Sequence, residues 1–458
     1  MKRIICFLLI ISSLFLTSCA GAEMSANSSL STTSEAQGSD VSEKNVYTHF
    51  INKSIETKSK VIILDPVVET KTLYYFSKVD GDFYPFCFDP FCDHVNYDGL
   101  TYRTKCIGTM IKDPFRTGTS AKIFYINSRI YFVFFDKIYS CSEIATDLRV
   151  EVSFSDKMDY YEKMTEFIKS ASAGGTSVLT DSFYYPIQSF ERDQNTLLFI
   201  RIDEEGNIKQ YAYDTVSKKL TDLKKKMTEK EKEIGATLYT HSFENGRVYM
   251  AAYTNVQKSS AGVGLNTYVE GDFKGYYVAD YAFTFFEKTE YVPPVSFDFY
   301  AEDGHVCLNG KNEEKTVFDI VKIKYDNTNE ILAENIVFVK TPISLYLTDD
   351  SYYFDFTDLV ELGVDASYGG GRIKRYNNQN GKIYRLNLKT GTIQTVFDDL
   401  SYDSFKIIYL DEKKNFGLMT IQKYDVVDGF VSSRGGLLYQ FDIDENGNFV
   451  NLERVLLN

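Results

Sequence analysis

The 458-residue sequence predicts an all-β fold, a β-propeller of seven blades with four antiparallel strands each. Three observations predict it. The chain holds 35 Tyr and 35 Phe, and aromatic and β-branched residues suit pleated, half-buried surfaces. A unit of polar turn, hydrophobic residue and usually Tyr recurs about every 46–65 residues, close to the 40–50 of a four-stranded propeller blade with some loop growth. A second family of turn-centred hairpins falls between these units, and two hairpins make one blade. Two packed β-sandwiches would explain the short strands but not the repeated unit.

In chain order, the N-terminus comes first. Lys2 and Arg3 precede the apolar run "IICFLLIISSLFL" (4–16), the pattern of a secretory leader. The run is shorter than the roughly 20 apolar residues that span a bilayer. It ends in "LTSC" (16–19), a lipobox, so residues 1–18 read as a lipoprotein signal peptide and Cys19 as the lipidated first residue of the mature chain. Residues 19–45 are rich in Ser and Thr, with no aromatic residue. Such a composition buries too little apolar surface to offset chain entropy and reads as a disordered tether. The folded body is expected over 46–458, outside the cytoplasm and held to the membrane through lipid.

Seven turn units mark the blades: "DGDFY" (80–84), "NSRIY" (127–131), "TDSFY" (180–184), "NGRVY" (245–249), "DGHVC" (303–307), "DDSYY" (349–353) and "KKNFG" (413–417). Asn-Gly and Asp-Gly between alternating runs are strong hairpin signals. The intervening hairpins are "RIDEEGNIKQY" (201–211), "IKYDNTNEILAE" (323–334), "IYRLNLKTGTIQTVF" (383–397) and "LYQFDIDENGNFV" (439–450). Two segments break the pattern. Met158, Tyr161, Met164 and Ile168 have helical spacing, so 156–171 reads as an amphipathic insertion between blades. "DLKKKMTEKEKE" (222–233) is a charge run, expected as a solvated loop or short helix.

Beyond Cys19 the mature chain has five cysteines, and three of them fall within twenty positions beside a histidine. Cys87, Cys92, His94 and Cys106 form C-x4-C-x-H-x11-C, a Cys3His set able to close a tetrahedral structural zinc site. A disulfide joining Cys87 or Cys92 to Cys106 is the alternative outside the cytoplasm. A redox dithiol has little support, because the spacing is not C-x-x-C. Cys141 and Cys307 read as buried thiols.

The lipobox, the polar tether, the early C-x2-P-x-C-x-H of Cys87, Pro90, Cys92 and His94, the later Cys106 and the Tyr-rich repeats resemble a broad group of uncharacterised lipoproteins from Gram-positive anaerobic bacteria. The resemblance implies location and fold and no particular activity.

"DIDENGNFVNLE" (442–453) fits the spacing of a calcium loop, with Asp442, Asp444, Asn446 and Glu453 as ligands. The strand-like residues before it favour a plain Asn-Gly hairpin, and calcium is not expected. His49, His241 and His305 form no metal-ligand pattern, and no G-x-S-x-G occurs. The net charge of −14 argues against a nucleic-acid partner. The expected function is a non-catalytic binding or scaffold module at the cell surface, taking a protein, peptide or glycan at the propeller mouth. A hydrolase or lyase using channel-facing carboxylates is the alternative.

Overall fold

A computed structural model describes residues 48–49, 54–64, 72–89, 91–94, 106–112, 123–134, 137–154, 187–202, 208–257, 270–290, 298–312, 316–326, 328–356, 359–368, 371–378, 381–399, 404–427 and 430–457. Seven antiparallel sheets succeed one another as blades. Blade 1 consists of Ser54–Glu56, Lys60–Ile63, Tyr74–Ser77 and Phe83–Pro85, and blade 2 of Phe124–Ile126, Arg129–Phe134, Lys137–Ser142 and Arg149–Ser153. Blade 3 runs over Ile187–Asp193, Thr196–Ile202, Ile208–Asp214 and Leu220–Asp222. Blade 4 runs over Thr237–Glu244, Arg247–Gln257, Glu270–Asp280 and Phe286–Thr289. Blade 5 takes Phe299–Ala301, Gly304–Gly310, Val317–Lys324 and Asn329–Val337. Blade 6 takes Pro342–Leu347, Ser351–Phe356, Lys382–Asn387 and Ile393–Asp398, with the hairpin Leu359–Tyr368/Gly371–Asn378 inserted between its second and third strands. Blade 7 ends the ring with Ser404–Asp411, Phe416–Val427, Phe430–Ile443 and Phe449–Arg454.

Middle strands are covered on both faces by neighbouring blades, which explains why they read as continuous apolar runs rather than as alternation. All six residues of Ser351–Phe356 are buried. Apolar clusters join blade 1 to 2, 2 to 3, 3 to 4, 5 to 6, 6 to 7 and 7 back to 1. Tyrosine serves these seams because its ring fills the core while its hydroxyl reaches a carboxylate. Tyr213 donates to Glu151 Oε2 of blade 2 at 2.7 Å, and Tyr353 donates to Glu412 Oε1 of blade 7 at 2.6 Å.

The turn units locate the blades, with one correction. Five of them, at 127, 245, 303, 349 and 413, join the first and second strands of blades 2, 4, 5, 6 and 7. Asn127 and Ser128, like Asn245 and Gly246, take positive φ in pairs, the twist that a two-residue hairpin requires. "DGDFY" instead joins the third and fourth strands of blade 1, whose first turn is Thr57–Lys60. "TDSFY" lies outside the described residues, and the first turn of blade 3 is at Gln194–Asn195. The residues expected as signal peptide, lipidation site, tether and the 156–171 helix also lie outside them. The charge run forms helix α2, Leu223–Ile234, while helix α1, Ile107–Lys112, is an addition that the sequence reading lacked. Asp222 caps α2 by accepting from Lys225 N, Gly235 ends it at φ +65°, and Leu223 and Met227 are its buried anchors.

Among the described residues the four strands of each blade come from one stretch of chain, and no strand is exchanged between blades 7 and 1. Closure falls to contacts between blades 7 and 1: Ser54 Oγ donates to Ile408 O at 2.7 Å, and Phe76 stacks on Phe416 at 5.1 Å. A further strand, Thr48–His49, pairs with the first strand of blade 5, matching Thr48 to Tyr300 and His49 to Phe299. It lies within 8 Å of the first strands of blades 6 and 1 as well, so it sits inside the ring and straps blade 5 to blade 1. Removing residues 46–53 is expected to lower the thermal midpoint. Backbone hydrogen exchange should then speed first at the blade 7 to blade 1 seam, and unchanged exchange at Ser54 and Ile408 would contradict the strap.

Alternating strand directions put the turns between first and second and between third and fourth strands on one face. The connections between blades lie on the opposite face, with helices α1 and α2. Thr48 lies toward the turn face, because Tyr300 is nearer than Phe299 to its blade's first turn.

Candidate metal centre

The cysteine and histidine cluster is built on the connection from blade 1 to blade 2. Pro85 ends the last strand of blade 1, and the next residue, Phe86, is buried with its N–H on Leu73 O at 2.7 Å. That anchor fixes where Cys87 leaves the core. Asp89 Oδ1 then accepts from Phe91 N at 2.9 Å, and Asp89 O accepts from Cys92 N at 3.2 Å. The resulting turn folds the second sulfur back toward the first. His94 adopts φ +53°, and its N–H donates to Cys92 Sγ at 3.4 Å.

Cys106 opens helix α1, accepting through its carbonyl from Met110 N at 2.9 Å. The helix lies on the blade 1–blade 2 core through Ile107, Met110 and Ile111, all buried. Its placement returns Cys106 to the knuckle despite the eleven-residue gap: Cys106 Sγ is 3.5 Å from His94 Nδ1 and 3.7 Å from Thr72 Oγ1. Thr109 Oγ1 donates to His94 O at 3.1 Å and ties the helix to the histidine.

The ligand atoms of Cys87, Cys92, His94 and Cys106 all lie within 4.8 Å of one another, the sole such group of His, Cys, Asp and Glu among the described residues. In a tetrahedral zinc site with bonds of about 2.3 Å to sulfur and about 2.0 Å to nitrogen, the sulfur to nitrogen edge is about 3.5 Å. The Cys106–His94 separation already matches it. The three thiols are free in the structure, with no disulfide among them. Burial pushes the Cys87 thiol up to about 12, raises Cys92 and lowers His94. The imidazole therefore stands neutral near pH 7, as a metal ligand requires, and those two thiols must release protons to bind an ion. Four protein donors close a tetrahedron and leave no position for a reacting water.

Sequence spacing found the four donors but not their supports, Thr72, Gly108 and Thr109. Gly108 is the tightest of these. A Cβ there would meet Thr72 Oγ1, and would stand 2.6 Å from Phe86 O and 3.3 Å from Leu73 N. Gly108→Ala is expected to push α1 off the blade, costing about 1–3 kcal/mol as overpacking does, and to weaken metal retention. Urea unfolding and metal-to-protein ratio check this; wild-type values for both would sink it.

The calcium pattern is not assembled as a site. Asp444 accepts from Asn446 N, Asn448 N and Asn448 Nδ2 at 2.8–2.9 Å, which makes it the turn of a hairpin with Gly447 at φ +83°. Asp442 instead accepts from Asn451 Nδ2 at 2.9 Å, and Glu453 from Gln440 Nε2 at 3.2 Å. Three carboxylates, Asp193, Asp298 and Glu412, are engaged by neighbouring groups. Asp193 accepts from Gly246 N at 2.7 Å, Asn245 N at 3.2 Å and the Tyr281 hydroxyl, all of blade 4. Asp298 accepts from Ser344 Oγ at 2.6 Å and Leu308 N at 3.1 Å. Glu412 takes Tyr353, Thr348 and Arg385. These acids tie blades together.

Fold and site together define a seven-bladed β-propeller carrying a Cys3His cluster on the connection between its first two blades. No protein-family profile and no curated protein matches the sequence. Among solved structures the chain is similar to TolB from Acinetobacter baumannii, at 9% identity over 88% of this chain and 78% of that one, with a TM-score of 0.25. It is similar to dipeptidyl peptidase 4 from Porphyromonas gingivalis, at 7% identity over 87% and 58%, with a TM-score of 0.31. The N-terminal domain of Nup159 gives 9% identity over 92% and 86%, with a TM-score of 0.23. Scores this low say nothing of activity or partners, and the fold rests on the strand order of the chain itself. No helix among the described residues is long and apolar enough to cross a membrane.

Proposed function

We propose that this protein is a lipid-anchored, extracytoplasmic, non-catalytic binding module whose first two blades are pinned by a structural zinc ion. The observation that carries the reading is the convergence of Cys87, Cys92, His94 and Cys106 within 4.8 Å. Thiolates with one imidazole are soft donors that suit zinc, and a closed set of four is structural chemistry. Cys19, after its lipobox, supplies the anchor, and several buried acyl chains at about 0.8 kcal/mol per methylene hold it to a leaflet. With the anchor N-terminal and Thr48 toward the turn face, the blade-connection face is the one offered to a protein, peptide or glycan.

Metal analysis with thiol titration of the purified body tests the site. One zinc per chain, with Cys87, Cys92 and Cys106 protected until the metal is chelated, is the expected result. A disulfide among them would overturn it. Cys19→Ala tests the anchor separately, and is expected to move nearly all of the protein from the membrane fraction to the soluble one.

A further inference from the structure

The cysteine turn presents something that metal binding alone does not require. Phe88 is 60% exposed and Phe91 is 94% exposed, and both fall between the ligands Cys87 and Cys92. Among the described residues most aromatic rings are buried, where removal from water stabilises the fold, and the other exposed ones, Tyr84 at 38% and Phe273 at 49%, are more covered than these two. Here two rings face solvent on a turn held by Asp89 and flanked by two ligand cysteines. A preorganised loop with aromatic anchors has the form of a binding hot spot, since little ordering remains to be done on association.

Charge narrows the partner. From Val79 to Tyr102 the chain carries five aspartates and no lysine or arginine. Asp89 and Asp93 are exposed beside the rings. Three thiolates around one divalent cation add a further net −1. The knuckle also lies on the blade-connection face, away from the turn face toward which Thr48 lies. Both facts disfavour an anionic lipid surface.

We infer that Phe88 and Phe91 form a metal-ordered docking knob for a linear protein segment that carries apolar side chains beside lysine or arginine. The aspartates and the metal-thiolate group steer and orient that segment, and the two rings supply the contact. The inference rests on the binding-module reading and names the partner chemistry for its site.

The test uses the metal-loaded folded chain and a phage-displayed library of random dodecapeptides, selected in competition with the F88S/F91S variant. Both rings are exposed, so the variant is expected to keep the wild-type thermal midpoint and metal content. Selected peptides should combine basic with apolar residues, bind at least tenfold more weakly to F88S/F91S, and weaken as salt rises. A failure to enrich, a consensus without basic residues, or equal affinity for the two proteins overturns the knob. Equal affinity would leave the binding-module reading standing. Phe-dependent flotation with phosphatidylcholine vesicles would mark the loop as membrane-inserting and overturn the knob too. Phe-dependent peptide binding by a protein found to hold no metal would support the docking and sink the metal that orders it.

Discussion

Stripping the metal is expected to lower the thermal midpoint by roughly 4–8 °C, and the loss should begin where blade 1 meets blade 2. A ligand that binds only the folded state stabilises it by RT ln(1 + [L]/Kd), about 4 kcal/mol at a thousandfold excess over Kd. A domain of 150–250 residues responds by about 2–4 °C per kcal/mol, and a folded body of some four hundred residues by roughly half of that. The four donors come from two separate pieces of chain, the 87–94 knuckle and the start of α1. Without the ion, α1 is held to blade 1 by Thr109 on His94 O, by Leu73 N on Gly108 O at 3.4 Å, and by its apolar anchors. Helix α1 has only six residues, too few to persist in water by itself. Its release would uncover Leu73, Phe86, Ile123 and Phe132. Hydrogen exchange should therefore rise at Cys106–Lys112 and the first strands of blade 2 before it rises in blade 5.

The same experiment has a pH signature. Cys87 and Cys92 enter as protonated thiols, since burial holds both above their ordinary range. Metal binding near pH 7 then releases at least two protons, and none from a neutral His94. Releasing two protons makes the apparent affinity climb about a hundredfold per pH unit. Calorimetry in buffers of different ionisation enthalpy reads the proton count directly. A count near zero would mean that the ion is not held by these sulfurs.

The architecture was legible because the signals for it are local. A hairpin turn is specified by four residues, so Asn127–Ser128 and Asn245–Gly246 announce themselves in any context. The same locality explains the misplacement of "DGDFY", since a turn between third and fourth strands has the same chemistry as one between first and second. The Thr48–His49 strap was illegible for the opposite reason. Two residues carry no periodicity, and their partner, Phe299–Tyr300, lies some 250 positions away. At the metal centre, donor identity is written in spacing, but the supports are tertiary: Gly108 is required by Thr72 and Phe86 O, which no pattern within 106–112 reveals. An apolar i, i+3, i+4 set at Ile107, Met110 and Ile111 was the available signal for α1.

Acidification from pH 7.5 to 5 is expected to destabilise the wild type relative to His305→Phe by about 2 kcal/mol. His305 is 1% exposed, with its ring against Tyr300 at 5.4 Å and Tyr325 at 5.5 Å. Burial, reinforced by the nearby Arg192 charge, lowers its pKa to about 3, against 6.5 for the free side chain. Between these values the unfolded chain binds a proton that the native state does not. Stability is therefore present above about pH 6.5 and lost as pH falls toward 3, at up to about 1.4 kcal/mol per unit. Buried Asp193 and Asp298 act in the opposite sense, because burial raises their pKa values and the native state holds their protons more firmly. Total acid stability therefore mixes both kinds of group, and the difference between wild type and His305→Phe isolates the imidazole. The phenyl ring keeps the edge contacts with Tyr300 and Tyr325 and cannot titrate. Urea unfolding of both proteins at several pH values measures that difference, and parallel curves would show that His305 takes up its proton in the folded state as readily as in the unfolded one.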